Sequence, residues 1–527
     1  MQDASMPFTR HLPIEVLRLV LLDTTSYSGF FTPEEVLQYE TISPSFLEAS
    51  RILWDWMFIT PADRRRSLLR VFAGRRSLHL MLDMAPGRAG RRAALQAMVS
   101  HAVAAGRVRY LYIFDHQPGL HWLHSMSPFP GVETLGVDAE CGGEDGHMFD
   151  MESAPQVRSL VLARIEPGNQ PAPALRTLDI IAPSGPLLSR EAFVSHLNAM
   201  PALRALKLLE WGLYDDLSRP EPEDPINPLG LGAEVDAGRP TWAVQDDEAF
   251  PTAPEVLLPE LSTVKMAEVP HGTAYGILSR IDCPNLKHIT MDTFVLLPNQ
   301  PVPVHHPAFT GLLRQARSGS HGLQIEFDRV DHLRVREKGP SPRIDVAVGY
   351  ASRLVYMMRP FLEAIHDAVA DLDGELHLIW TGPFDDPPSP HTAPWAHPHR
   401  LPLPSATTIS LLGWADKAFN TFPYLNDPTH FPQLRRVEVH PAGSVTPVEH
   451  LLEIVAPRLQ GSRFLRAAQR LTVAYDACST LEDPDEDALN AFPLACRVMS
   501  AFCDAFPGKV VLEEADGMRS GVVAVSW

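Results

Sequence analysis

Eight times in 527 residues a proline is followed at fixed distances by three apolar residues, in the pattern Pro-x-[Val/Leu/Ala]-x-x-[Leu/Val/Ile]-x-apolar. The copies begin Pro130-Val132-Leu135-Val137, Pro155-Val157-Leu160-Leu162, Pro173-Leu175-Leu178-Ile180 and Pro201-Leu203-Leu206-Leu208. They continue as Pro259-Leu261-Val264-Met266, Pro284-Leu286-Ile289-Met291, Pro404-Ala406-Ile409-Leu411 and Pro432-Leu434-Val437-Val439, and Val108-Leu111-Ile113 is a ninth copy without its proline. The last two apolar positions lie two residues apart, so both face one side of a short strand. The apolar residue three positions earlier packs where the chain turns into that strand. Proline has no N–H and moves its predecessor out of the α region, which predicts that it ends whatever helix came before.

Several intervals between copies carry helical patterns. Phe193, Leu197 and Met200 share one face over Arg190–Met200. Thr446, Pro447 and Glu449 read as a capping box ahead of an apolar stripe running to Leu459. Ala274–Ile281, Pro307–Ala316, Pro360–Leu372 and Ala488–Phe506 read as further helices. Apolar strands without the full motif are expected at Leu323–Phe327, Ile344–Val348, Leu376–Trp380, Leu471–Ala474 and Val510–Leu512. The predicted unit is strand, loop, helix, proline stop and strand, repeating every ~18–29 residues. The motif resembles the L-x-x-L-x-L of leucine-rich repeats, without the Asn or Cys three residues beyond the last leucine. The expected fold class is α/β: an irregular leucine-rich-repeat solenoid with a curved parallel sheet and outer helices, following a small helical module. A doubly wound α/β domain competes, but no Gly-rich phosphate loop follows any strand.

The first sixty residues differ from the rest. Leu12-Pro13-Ile14-Glu15-Val16-Leu17 opens a helix that Leu19 to Leu22 extend. Thr32-Pro33-Glu34-Glu35 supplies a hydroxyl cap, a proline in the first turn and an acid at the third position. A third segment runs through Ala49, Ile52, Leu53, Trp54, Trp56 and Met57. Leu12-Pro13, Ile42-Ser43-Pro44-Ser45-Phe46 and Leu53-Trp54 together resemble the F-box, a three-helix adaptor-binding module. An insertion at Tyr27–Phe31 and a missing basic pair depart from its pattern. An F-box ahead of degenerate leucine-rich repeats is an order familiar from fungal proteins, and Ser77–Asp83 resembles a segment found in them.

The resemblance implies the substrate-recognition subunit of an SCF-type ubiquitin ligase. The module would bind the Skp adaptor, and through it the cullin, by Leu12, Pro13, Val16, Leu17, Val20, Ile42 and Phe46. The repeats would bind a target protein. The alternative is a leucine-rich-repeat interaction scaffold with no ligase attached. The domain expectation is an F-box-like module at 1–60, an Arg-rich connector at 61–105 and a solenoid at 106–527. That solenoid carries an acidic Pro-rich loop at 215–255 and a Pro/His-rich loop at 383–404.

Composition narrows the function classes. The net charge is −19, so the eleven arginines between Asp63 and Arg109 are an island in an acidic protein. No aromatic stacking motif accompanies them, and nucleic acid is not an expected partner. No stretch reads as a membrane span or signal peptide, and five dispersed cysteines fit a reducing compartment, cytoplasmic or nuclear. No metalloprotease, nucleophile-elbow or phosphate-loop signature occurs, so no catalytic, cofactor or metal site is expected. The histidines His305, His306, His391, His397 and His399 lie in loops, and Cys496 and Cys503 on one helix face read as core.

Overall fold

The structure is a computed structural model. It describes residues 30–42, 53–73, 77–84, 89–115, 121–124, 126, 128–139, 148–182, 190–210, 254–295, 307–328, 332–350, 358–381, 404–414, 431–441, 470–475, 510–514 and 522–526. The expected helices at 446–459 and 488–506 and the loops at 215–255 and 383–404 lie outside or almost wholly outside these residues. The chain is α/β and divides into two units: Met1–Val269 with Ser279–Leu286, and Pro270–Leu278 with Lys287–Trp527. Among the described residues no helix is long and apolar enough to cross a membrane.

In the first unit the elements run α1 (Pro33–Ile42), β1 (Trp56–Ile59), α2 (Arg65–Ala73), β2 (Leu78–Asp83), α3 (Ala89–Ala104) and β3 (Val108–Asp115). Next come α4 (His121–His124), β4 (Thr134–Ala139), β5 (Met148–Phe149), β6 (Ser159–Ala163), β7 (Glu166–Pro167) and β8 (Thr177–Ile181). The unit ends with α5 (Arg190–Asn198), β9 (Ala205–Leu209), β10 (Val256–Leu257), β11 (Thr263–Pro270) and β12 (Ile281–Asp282). Strands β1-β2-β3-β4-β6-β8-β9-β11 pair in that order, every pair parallel. Two short parallel ribbons, β5–β7 and β10–β12, accompany this sheet.

The register turns the sequence repeat into two ladders. One runs Met57–Leu80–Leu111–Leu135–Leu160–Leu178–Leu206–Val264 and the other Ile59–Leu82–Ile113–Val137–Leu162–Ile180–Leu208–Met266. None of these side chains is more than 1% exposed. Helix residues cover them at helical spacing: Leu95, Val99, Ala102 and Val103 of α3, and Phe193, Val194 and Leu197 of α5, are buried. The copies found in the sequence are therefore aligned rungs of one core.

The prolines act differently from the expectation. In seven copies the residue before the proline accepts the N–H of the residue two after it. These bonds run from Val132, Val157, Leu175, Leu203, Leu261, Leu286 and Leu434 to Phe129, Ala154, Ala172, Met200, Leu258, Cys283 and Phe431, at 3.1–3.2 Å. Proline is thus the second residue of a four-residue turn, where its fixed φ is already correct. Described helical segments end just before two of them, α5 before Pro201 and a 3-10 turn at Met151–Ser153 before Pro155. The turn delivers the next two N–H groups to one carbonyl of the preceding rung: Arg204 and Ala205 both donate to Arg176, and Arg176 and Thr177 both donate to Arg158.

The missing Asn of the repeat motif has a structural replacement. Arg164, Ala182, Glu210 and Glu268 each sit two residues past the second ladder and take positive φ of 61°, 43°, 53° and 56°. Three of them donate their N–H to the next rung: Arg164 to Ile181, Ala182 to Leu209 and Glu210 to Ala267, at 2.8–2.9 Å. At β6, β8 and β9 a left-handed residue closes the strand where an Asn side chain would otherwise do so, at a cost of about 1–2 kcal/mol per L-residue.

The N-terminal region also departs from the expectation. The predicted third helix through Trp54 and Met57 is a 3-10 turn at Leu53–Asp55 followed by β1. Trp56-Met57-Phe58-Ile59 has strand alternation, with Met57 and Ile59 in the ladders and Phe31 bridging Met57 at the sheet edge. The stretch expected as an Arg-rich connector supplies α2, β2 and α3, so the sheet starts at Trp56 rather than near Val108.

The second unit contains α6 (His271–Leu278), β13 (His288–Val295), α7 (Pro307–Ser318), β14 (Leu323–Asp328), β15 (His332–Glu337) and β16 (Ile344–Tyr350). It continues with α8 (Met358–Val369), β17 (Leu376–Thr381), β18 (Thr408–Trp414), β19 (Arg436–Pro441), β20 (Arg470–Tyr475), β21 (Val510–Glu514) and β22 (Val522–Ser526). Its strand order is β13-β16-β15-β14-β17-β18-β19-β22-β20-β21, with β15 and β22 antiparallel to their neighbours. A wholly parallel sheet is therefore corrected here. The β14–β15 and β15–β16 connections are too short for a parallel crossover, which needs about a dozen residues. The core register survives the reversal, as Met291–Val346–Val335–Ile325–Leu378–Ile409–Val437, all at most 1% exposed. Arg317 of α7, 1% exposed, donates to the carbonyls of Leu372 and Ser405 and so ties α7 to the turn before β18.

Two substitutions test the rung geometry by urea denaturation of the full chain. Leu178→Ala, in the middle of a ladder, is expected to cost about 2–5 kcal/mol. Ala182→Gly is expected to stabilise by up to about 1 kcal/mol by relieving the left-handed backbone, whereas Ala205→Gly within β9 destabilises by about 0.5–1 kcal/mol. Equal destabilisation by both glycines would contradict the turn assignment.

Candidate functional site

Of the residues proposed from sequence to meet an adaptor, Leu12, Pro13, Val16, Leu17, Val20 and Phe46 lie outside the described residues. Ile42 is the last residue of α1 and is 56% exposed. The helix starts as its sequence predicts: Glu35 N–H donates to Thr32 Oγ1 at 3.3 Å and Thr32 N–H to Glu35 Oε2 at 2.7 Å. Pro33 and Val36 are buried, and Tyr39 meets the Phe31 ring edge-on at 6.2 Å. Ile42 is thus an exposed apolar tip on a helix whose other end is fixed to the sheet edge.

Leu53 and Trp54 have the opposite fate. Leu53 is fully buried and Trp54 is 7% exposed. The indole Nε1 donates to Glu40 Oε1 at 2.8 Å, and Arg70 lies over the indole ring at 4.8 Å while pairing with the same Glu40 oxygen at 2.7 Å. This three-residue clasp joins α1 to α2. A second contact, between α1 and the turn that leads into α2, brings carboxyls together. Asp63 accepts the Thr60 N–H at 2.6 Å and faces Glu34. Burial first, opposed by the Thr60 N–H and aided by the neighbouring Glu34, pushes the Asp63 carboxyl up to about 6.

The sheet face opposite the ladders carries the other candidate surface. Across the rungs, its first row reads Trp56, His79, Tyr110, Thr134, Ser159, Thr177, Ala205 and Thr263. Trp56 and His79 stack at 3.9 Å and 8°, and Phe30 packs against both Trp56, at 5.7 Å, and Tyr110, at 5.3 Å. In the next row the Tyr112 ring lies over Gly136, where a Cβ would come within 2.0 Å of it, and Tyr112 meets Phe114 at 4.8 Å. Trp56, His79, Met81, Tyr110, Tyr112 and Phe114 are all half-buried. Burial, reinforced by Asp138, pushes the Tyr112 phenol up to about 12, and burial lowers His79. Both are neutral near pH 7, so the rings carry no charge, while Asp83 of β2 stands opposite Phe114 on the same face. Asp138 of β4 pairs with Arg164, and Asp179 of β8 pairs with Lys207 at 2.7 Å.

The corresponding face of the second unit is polar. Arg334 binds Asp345 through two bonds of 2.7 and 2.6 Å. His377 Nε2 lies 2.6 Å from Ser410 Oγ, which donates to Glu438 Oε2 at 2.5 Å. Burial pulls His377 down to about 4, so it is neutral at pH 7. Nucleophilic catalysis needs histidine between serine and acid, with each ring nitrogen engaged. Here serine lies between histidine and acid, Nδ1 of His377 has no partner, and Ser410 is 1% exposed. The group links three strands and lacks the order that would activate Ser410. Among the described residues no cluster of three or more His, Cys, Asp or Glu could hold a metal ion.

Sequence reasoning singled out the core leucines and passed over the residues between them. Each copy's intervening position lies on the opposite face, so Tyr110, Tyr112 and His79 were available from strand alternation alone. No protein-family model matches the chain, and no curated protein matches it.

The Asp63–Glu34 contact predicts a pH dependence. A carboxyl raised from 3.8 to about 6 in the folded state contributes stability that is present below the unfolded value and lost as pH rises through about 6. Asp63→Asn keeps an acceptor for Thr60 and removes the charge. Its melting temperature relative to the unmutated chain should rise between pH 4.5 and pH 7; a pH-independent difference would contradict the shared-proton contact.

Proposed function

We propose that the chain is a substrate-recognition subunit of an SCF-type ubiquitin ligase. Its N-terminal module binds the Skp adaptor, and the cullin through it, while the repeat unit holds a target protein. The observation that carries the recognition half is the half-buried cluster of uncharged Trp, His, Tyr and Phe rings on β1–β3 of the parallel sheet. Such residues present large contact area at low side-chain entropy cost and are enriched where proteins meet. The ligase half rests on the F-box-like residues Leu12-Pro13, Ile42–Phe46 and Leu53-Trp54. Ile42 supports it by standing exposed on a capped, anchored helix, as an adaptor contact requires.

A second reading, a repeat scaffold with no ligase attached, has its own support. Leu53 is fully buried, Trp54 is held in the clasp with Glu40 and Arg70, and α1 packs on the edge of the sheet. On that reading the helices cap the array.

Co-purification with the Skp adaptor separates the two. Deleting the first sixty residues is a poor control, because it removes β1 and the Phe31 bridge along with the module. Point changes at exposed positions avoid that damage. The full chain should retain the adaptor, and Ile42→Glu should lower its recovery by about tenfold or more with an unchanged melting temperature. A folded chain that recovers no adaptor would leave the scaffold reading standing.

A further inference from the structure

The turn that enters each strand places one residue between the buried third position and the strand proper. At β4, β6, β8, β9 and β11 these residues are Glu133, Arg158, Arg176, Arg204 and Ser262, and Arg109 takes the matching place within β3, accepting the Glu133 N–H. Four of the six are arginines in a protein of net charge −19, and all four are exposed. Their backbones are held rung to rung: Arg158 N–H donates to Glu133, Arg176 to Arg158 and Arg204 to Arg176, at 2.7–2.8 Å. Neighbouring rungs are ~4.8 Å apart, so Arg158, Arg176 and Arg204 form a row of like charges in direct succession.

Such a row is unfavourable by itself, because like charges on adjacent strands repel. The flanking members are neutralised: Arg109 by Glu133 at 3.1 Å and Arg204 by Glu260 at 2.8 Å. Both pairs are about half-exposed on each side, the kind whose net worth is only about 0–1 kcal/mol and which exchanges readily for another anion. Among the described residues Arg158 and Arg176 have no acidic partner. An anion laid along this rim relieves the repulsion and meets donors whose backbone is already fixed, leaving only side-chain ordering to oppose binding.

We propose that this rim, centred on Arg158 and Arg176 with Arg204 beside them, docks a carboxylate-rich extended segment of a partner protein. This rests on the reading of the repeat unit as a protein receptor and is independent of the adaptor. The dimensions favour a short acidic peptide. Three rungs span about 10 Å, and an extended chain rising ~3.3 Å per residue places two or three carboxylates in that length. Glu133 and Glu260 bound the row on both sides, which confines the positive field to a patch shorter than a nucleic-acid backbone would occupy.

The test uses the full chain and a fluorescently labelled ten-residue oligo-glutamate peptide, followed by anisotropy at low and raised ionic strength. Saturable binding that weakens with salt is expected, and Arg158→Gln/Arg176→Gln should weaken it about tenfold or more with no loss of melting temperature. Lys265→Gln, an exposed cation elsewhere on the sheet, should leave the affinity unchanged. So should Ile42→Glu, so that failure of the adaptor reading and failure of the rim are told apart. Absent binding, equal affinity in the double arginine variant, or preferential binding of an oligothymidine of equal charge would each overturn the proposal.

Discussion

Everything described in the first unit depends on the register lock between successive parallel strands. A one-residue slip would carry every ladder side chain from the core to the opposite face, so burial of two leucine-type residues per rung fixes the pairing. From β4 to β11 the proline turn sets where a rung begins, because its closing bond brings the next two N–H groups to a single carbonyl of the rung before. At β6, β8 and β9 a left-handed residue sets where the rung ends. Between those two points the strand has room for only a few residues, and that brevity keeps the ladder in step over eight strands. The arginine rim and the aromatic face follow directly. One is the position just outside the turn, the other the positions between the ladder residues.

The second unit obeys the same core register with different connectivity. The hairpins around β15 reverse the strand order from β14 to β16 without displacing Ile325, Val335 or Val346 from the core line. A buried arginine, Arg317, does there what a short apolar contact does elsewhere, supplying donors to two carbonyls at the end of α8 and the turn before β18. The two units also present different chemistry on the face away from the core. The first offers uncharged rings, the second bidentate Arg–Asp pairing and the His377–Ser410–Glu438 link. Partner contact on the ring cluster of the first desolvates chiefly uncharged groups, whereas on the second it meets charges that are already paired.

Much of the fold was legible because the repeat spacing is a direct image of strand geometry. Leu135, Leu160, Leu178 and Leu206 were aligned from sequence and stand opposite one another in the sheet. The capping box at Thr32–Glu35 was legible for the same reason, since it is local. What escaped was non-local. Strand β15, His332-Leu333-Arg334-Val335-Arg336-Glu337, carries only two core residues and no proline, and its direction is decided by loop length rather than composition. Trp56 and Met57 read as a continuation of a helix because a short apolar run does not declare its period; pairing with Phe31 and β2 makes it a strand. The prolines were misassigned as helix stops because a turn's closing bond depends on the residue before the proline, which varies from Phe129 to Ala154 to Cys283. Of the adaptor-facing candidates, Ile42 alone falls among the described residues, where it is exposed.

The central claim is a division of labour: an adaptor held by the N-terminal helices and a partner held by the repeat unit. Amide hydrogen exchange of the full chain, with and without saturating Skp adaptor, addresses it most directly. The account predicts slowed exchange confined to residues 12–46, with β2 through β11 unchanged. Protection spread over those strands, or none anywhere while the adaptor is in excess, would contradict it.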